Sequence, residues 1–279
     1  MKQMCVYTAS VFALSLFCAA SFVCAQEAES ECRSGNCLNG EGVLFYPDGR
    51  MYSGQFLKGQ RHGYGVYTFP NGRRYEGEWR ADRRTGRGVL NFPNGEVYAG
   101  DFVDGQLQGE GVYTYSTGEQ YIGHWESGLR SGYGLQIMPG GQFYAGMWVD
   151  DVISGNGVMI LPNGDRYEGA FCSGQYSGTG TMTWRDGKQF TGDWDAGMPN
   201  GYGTSTFTEN SRYEGMYLDG RYHGGGIWVF PDGGRYVGQW KSGKRHGRGM
   251  TLDSKREKIA EGFWVDDRFQ GASMTTMPE

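Results

Sequence analysis

Three of the chain's four histidines, His62, His223 and His246, each stand directly before a Gly-x-Gly pair. An imidazole at a fixed place in a recurring motif is where a metal ligand or a general base would be sought. A metal needs a further set of ligands at suitable spacing, and none accompanies these three. The matching positions elsewhere hold Thr85, Gln108, Ser131, Ser154, Ser177 and Asn200. A slot shared by His, Thr, Gln, Ser and Asn asks for a small or hydrogen-bonding polar group near a turn. His124 stands alone and is expected on an outward, solvated strand face.

Carboxylate pairs are the next candidates. Glu76/Glu78 and Asp193/Asp195 resemble the acid and base of a glycosidase only in residue type. Those carboxyls must flank a substrate cleft at a defined separation, whereas residues two apart on a strand share one face. These pairs are therefore expected on a solvated polar face. No Gly-x-Gly continues into the dinucleotide fingerprint, and the sequence holds no P-loop, no Gly-x-Ser-x-Gly elbow and no Cys-x-x-Cys. Catalytic, cofactor-binding and metal-binding residues are accordingly expected to be none, and no enzyme activity is expected.

Six cysteines remain to be placed. Cys5, Cys18 and Cys24 fall in an N-terminal segment with one cation, Lys2, an apolar run from Val6 to Val23, and Val23-Cys24-Ala25 before polar Gln26-Glu27. That pattern reads as a secretory signal peptide over residues 1–25, cleaved after Ala25. Its alternative is an uncleaved membrane anchor, since the run nearly reaches spanning length. Acylation at Cys24 is a weaker option, because Ser21-Phe22-Val23 leads poorly into a lipidated cysteine. Export makes a Cys32–Cys37 disulfide a candidate staple for an N-terminal cap over residues 26–39. Cys172 takes the place that Leu57, Val103, Val149 and Leu218 hold in other repeats, and is expected to be a small buried hydrophobe.

The elements that carry these residues follow from one periodicity. A Gly-x-Gly pair recurs every 23 residues, ten times, from Gly40/Gly42 to Gly247/Gly249. Twelve residues after each pair's first glycine comes an aromatic-x-Gly-x-aromatic cluster, such as Tyr75-Glu76-Gly77-Glu78-Trp79. A strict period of this length means an array of like units over residues 40–271. Gly63, Gly65, Tyr67 and Phe69 alternate with Tyr64, Val66 and Thr68, which is strand periodicity. Pro70-Asn71-Gly72 is a tight turn whose Asn-Gly supplies positive φ. Thr208-Glu209-Asn210 fills that slot in one repeat, with Asn210 taking the left-handed residue. In the next strand Tyr75, Gly77 and Trp79 share one face, and Glu76 and Glu78 the other. Both glycines of each pair are read as sockets for rings from neighbouring strands.

The fold class expected is all-β: an elongated, twisted antiparallel meander of about ten 23-residue β-hairpin repeats. At ~4.8 Å per strand it would run about 90–100 Å before twisting. The last unit, Ala260-Glu261-Gly262-Phe263-Trp264, is displaced by one residue, assigned to the stretch Ser254 to Lys258. Residues 272–279 form a C-terminal tail.

The unit Tyr-x-Gly-x-Trp, turn, (Lys/Arg)-x-His-Gly-x-Gly resembles the MORN repeat (membrane occupation and recognition nexus). Arg61-His62-Gly63-Tyr64-Gly65, Tyr222-His223-Gly224-Gly225-Gly226 and Lys244-Arg245-His246-Gly247-Arg248-Gly249 carry the match. The resemblance implies an elongated β-hairpin assembly that binds or scaffolds proteins or acidic phospholipids.

Charge is uneven. The chain is −5 overall and −6 without Lys2. Residues 50–90 hold nine Lys/Arg against three acids, a local +6, and residues 232–258 hold eight against three, a local +5. Residues 91–231 hold six against sixteen, a local −10. Basic ends fit an anionic lipid surface, or the acidic middle of another copy. Arg73, Arg74, Arg83, Arg84, Lys244, Arg245 and Arg248 are the candidate contacts. The function expected is an exported, non-catalytic scaffold for a protein partner or for self-assembly, at a membrane surface in one version. The alternative is binding of anionic phospholipid, or of cell-envelope carbohydrate or choline groups, through the repeat surface. Nucleic acid is not an expected partner of a net-acidic exported chain. Secretion, a periplasm or a secretory organelle is the expected destination.

Overall fold

The computed structural model describes residues 29–272. The predicted signal peptide lies outside the described residues, as does the tail beyond Ala272. One antiparallel sheet of 22 strands accounts for nearly all of the described chain. Numbered in chain order from β1 (Glu31–Gly35) to β22 (Arg268–Gly271), each strand pairs with its neighbours in sequence. The expected hairpin meander is the observed fold.

Two turn designs alternate along it. The Pro-x-Gly loops, such as 46–50, close with Tyr46 N donating to Arg50 O at 2.9 Å and Gly49 N donating to Tyr46 O at 2.9 Å. Among the residues of that turn only Gly49 has positive φ, at 83°, so the Asx residue before it is not left-handed as expected. The other hairpins turn on two residues. Lys58 and Gly59, at φ 51° and 77°, form the type I′ geometry that matches strand twist. In the irregular loop 207–211, Glu209 and Asn210 are both left-handed, at φ 70° and 62°.

One face of the sheet is aromatic. Tyr52, Tyr75, Tyr98, Tyr121, Tyr144, Tyr167, Phe190, Tyr213 and Tyr236 are all buried, one per repeat. Phe56, Trp79, Phe102, Trp125, Trp148, Phe171, Trp194, Tyr217, Trp240 and Trp264 form a second buried file beside them. The rings meet edge-to-face along the array, for example Tyr75–Phe102 at 5.0 Å and Tyr121–Trp148 at 5.5 Å. The sheet thus has a core made by one face alone, with rings in place of a second layer.

The glycine pairs divide into two roles. The first glycine sits in a bulge and needs positive φ, as Gly63 does at 58° and Gly109 at 66°. Opposite that bulge the register skips, so that Gly54 faces Gly65 and Phe56 faces Arg61. The reading of both glycines as ring sockets is therefore corrected: only the second is one. A Cβ on Gly88 would lie 2.5 Å from Tyr75 Oη. Each tyrosine also closes the bulge. Tyr75 Oη donates to Glu78 O at 3.0 Å, and Tyr98 Oη donates to Asp101 O at 3.0 Å.

The ends depart from the period. β1 carries a Cys32–Cys37 disulfide with Cα atoms 6.0 Å apart. Near the other end, Arg256 takes the usual glycine position at φ 71°, and loop 253–257 keeps the normal length. The extra residue is Ile259, which bulges between the pairs Leu252–Lys258 and Thr251–Ala260. The displacement thus lies in the strand, not in the basic stretch before it.

Candidate interaction surface

The second glycine of each pair and the glycine of each aromatic cluster face one another across every strand pair. From Gly42 in β2 (Gly40–Phe45) to Gly262 in β21 (Lys258–Val265), one glycine per strand forms an unbroken file. Rings fill the space over this file on the aromatic face. On the opposite, open face, the file is a floor of bare backbone between two rows of side chains.

The row on one side of that floor is a cross-strand ladder. Val89, Ala99, Val112, Ile122, Leu135, Ala145 and Val158 are successive partners in it. Glu76 precedes them and Glu168 follows. Seven apolar residues in succession lie on a face with no second layer. Six strand spacings at ~4.8 Å make this stripe roughly 29 Å long. Val89 and Ile122 are the most exposed of the seven, at 38% and 40%. The row beyond the floor holds Arg87, Asp101, Glu110, His124, Tyr133, Met147 and Asn156.

Two hollows lie along this groove. One of about 530 Å³ runs from Tyr64 and Glu76 to Ile122, and one of about 830 Å³ runs from Glu110 to Gly169. They share Glu110 and Ile122, so the groove is continuous. Glu76, Asp101, Glu110 and Glu168 line it against Arg87, which makes it net acidic. Tyr133 stands in its wall, 72% exposed. Its counterparts Tyr64 and Tyr202 donate to Glu76 at 2.9 Å and Glu214 at 2.8 Å. At Tyr133 the cognate position is Ala145, and its hydroxyl has no partner among the described residues.

The carboxylates expected to be merely solvated have local tasks. Glu78 accepts from Arg87 N at 3.1 Å, and Asp193 from Tyr202 N at 2.9 Å, each tying down the bulge opposite. The Tyr64 hydroxyl and then Arg74 hold the Glu76 carboxyl below its usual range. His62, His223 and His246 lie in bulges, as their polar slot implied. Among the described residues, no three His, Cys, Asp or Glu gather to hold a metal ion.

The seven basic candidates do not converge. Arg73, Arg84 and Arg245 lie against the aromatic face. Arg73 Cζ is 5.0 Å from the Phe92 ring, Arg84 Cζ is 5.4 Å from Phe102, and Arg245 Cζ is 4.3 Å from Trp264. Arg84 Nη2 donates to Gly105 O at 2.7 Å, and its burial lowers the guanidinium's pKa. Arg245 Nε donates to Asp267 at 3.1 Å. Arg74 pairs with Glu76 at 2.6 Å and Arg83 with Asp104 at 3.1 Å. Among the described residues Lys244 and Arg248 make no ion pair. Fourteen strand spacings separate β6 (Arg83–Asn91) from β20 (Lys244–Leu252), roughly 65 Å of sheet before twisting.

Cys172 is exposed and free, contrary to the expectation of burial. Leu57, Val103, Val149 and Leu218 in its slot are exposed as well, at 45–54%. The slot lies beside the two-residue turn on the open face, where the aromatic layer does not reach.

The sequence profile of the MORN repeat family matches residues 52–73, 75–97, 98–120, 121–143, 144–166, 167–189, 190–212, 213–235 and 236–253. No curated protein sequence matches the chain significantly. Among solved structures, the TCP10 domain of Danio rerio CPAP in complex with a peptide of Danio rerio STIL is similar over 81% of this chain and 100% of that one, at 14% identity and a TM-score of 0.41. The SAS-4 (dCPAP) TCP domain of Drosophila melanogaster, in complex with a proline rich motif of Ana2 (dSTIL), is similar over 64% of this chain and 90% of that one, at 11% identity and a TM-score of 0.36.

Proposed function

The chain belongs to the MORN repeat family, and from that premise we propose that it is a non-catalytic scaffold whose open-face groove holds an extended segment of a partner protein. The carrying observation is the unbroken ladder from Val89 to Val158 on a face that no second layer covers. Removing a part-exposed Val, Ile or Leu from water contributes roughly 0.5–1 kcal/mol per residue. The acidic lining selects a partner segment that alternates apolar with basic residues.

The test is selection of peptides from a displayed random library on the folded chain. Selected peptides should carry apolar and basic residues and should bind Leu135→Glu at least ten-fold more weakly, with circular dichroism unchanged. Peptides that bind both proteins equally would remove the groove from the proposal.

Export belongs to the same reading and rests on the N-terminal sequence. Expression with secretion, followed by N-terminal sequencing, should find a chain beginning at Gln26. A chain retaining Met1 in the membrane fraction would favour the anchor instead. Contact with an anionic membrane surface is supported by Lys244 and Arg248, which lack ion-pair partners among the described residues. Flotation with anionic vesicles should then weaken with salt and with charge reversal at these two residues.

A further inference from the structure

The aromatic face is hollow in the repeat of Phe190. Opposite each residue of the Phe56–Trp79–Phe102 file stands a partner on the next strand, and where it is an arginine or a tyrosine it packs on the following ring of the file, as Arg61 does on Trp79, Arg130 on Trp148 and Tyr222 on Trp240. These partners are Arg61, Arg84, Leu107, Arg130, Ile153, Tyr176, Tyr222 and Arg245, but Pro199 opposite Trp194. Beside each residue of the tyrosine file stand Tyr67, Leu90, Tyr113, Gln136, Met159, Met182, Trp228 and Thr251, but Ser205 opposite Phe190. Two space-filling positions are thus vacated in the same repeat.

The result is a cavity of about 560 Å³. Trp184, Phe190, Phe207, Tyr217 and Tyr222 form its walls. Phe190 also departs from the tyrosine of its file, and Tyr217 from the Phe or Trp commonest in its own. Inside, Ser205 Oγ and Tyr217 Oη lie 2.7 Å apart, and Ser205 is 8% exposed. At the rim, Lys188 is paired with Asp186 at 2.8 Å.

We propose that this cavity is a binding site for a small, flat aromatic molecule. Ring walls in edge-to-face contact accept a further flat ring. The hydroxyl pair supplies both a donor and an acceptor within a surface that is otherwise apolar. The site lies on the face opposite the groove, so it is independent of the partner-binding reading.

The probe is 8-anilinonaphthalene-1-sulfonate, followed by fluorescence and by calorimetry for stoichiometry. One molecule should bind per chain. Ser205→Leu installs the residue that Leu90 represents in the same slot, and should weaken binding at least ten-fold without lowering the melting temperature. Pro199→Arg, which copies Arg61, should weaken it likewise and serves if the first variant does not fold. Unchanged binding in a folded filling variant would overturn the site.

Discussion

The guanidinium carbon of Arg130 lies 4.2 Å from the centre of the Trp148 ring, in the adjoining repeat. The same side chain donates through Nε to Asp151 Oδ1 at 2.8 Å and through Nη2 to Asp151 O at 3.1 Å. Asp151 holds the second place of a type I′ turn at φ 68°. Asp82 and Asp267 hold that place at 67° and 70°, clamped by Arg61 and Arg245. Where the arginine slot holds Leu107, Ile153, Tyr176, Pro199 or Tyr222, the turn residue is Gly128, Gly174, Gly197, Gly220 or Gly243. A left-handed non-glycine residue costs about 1–2 kcal/mol, and the clamp offsets that cost.

A double-mutant cycle tests the offset. Arg130→Leu alone should destabilise by about 2 kcal/mol, losing stacking and charge-assisted bonds while Asp151 stays strained. Arg130→Leu with Asp151→Gly recreates the Leu107/Gly128 arrangement and should cost about 1 kcal/mol less than the sum of the single changes. Strict additivity in urea-denaturation midpoints would mean that the clamp and the turn are uncoupled.

Glycine substitutions should separate by location along the repeat. A Cβ on Gly100 would lie 2.5 Å from Gly111 Cα and 2.6 Å from Glu110 O, so backbone must move against backbone. Gly100→Ala should cost about 3 kcal/mol. Gly128, at φ 87°, has open space around it, and Gly128→Ala should cost only the left-handed strain of about 1 kcal/mol. Thermal melts of the two variants decide the matter, and equal losses would show that the floor of the groove is not closely packed.

The Cys172 thiol should react with a soluble maleimide in the folded chain at a rate within a few-fold of the urea-unfolded chain. Cys32 and Cys37 should become reactive only after reduction. Hundred-fold protection of Cys172 in the folded state would contradict its exposed position.

Most of the architecture was legible because each repeat encodes its own strand parity. Tyr75, Gly77 and Trp79 could be placed on one face from alternation alone. The bulge at Gly63 was not legible, since a socket glycine and a left-handed glycine look alike in sequence; φ is what separates them. The open-face ladder was hidden for a different reason. Val89, Ala99, Val112, Ile122 and Leu135 are spaced alternately by 10 and 13 residues, a rhythm that appears only once the pairing register is known. Cys172 reads as buried because Leu57 and Val103 in its slot are apolar, but their parity sets them on the face opposite Phe56 and Phe102. The cavity beside Ser205 carried a signal in the sequence: two small residues, Pro199 and Ser205, replace bulky ones in a single period.

The tyrosine file gives the fold a defined alkaline limit. Burial pushes the phenols of Tyr52, Tyr121, Tyr144, Tyr167 and Tyr236 up to about 12 from an ordinary value of 10. It raises those of Tyr75, Tyr98 and Tyr213 further still. A raised folded-state pKa means that the folded chain holds protons the unfolded chain has released. Stability from these groups is therefore complete below pH 10 and falls as pH rises from 10 towards 12. Every repeat but that of Phe190 adds such a group, so the loss compounds along the sheet and should be steep. Absorbance at 295 nm and far-ultraviolet circular dichroism should change together in that window, because the buried phenols ionise only as the sheet opens. Phenolate absorbance that saturates while the strand signal persists would show that the rings ionise in place, and that their burial does not govern the array's stability.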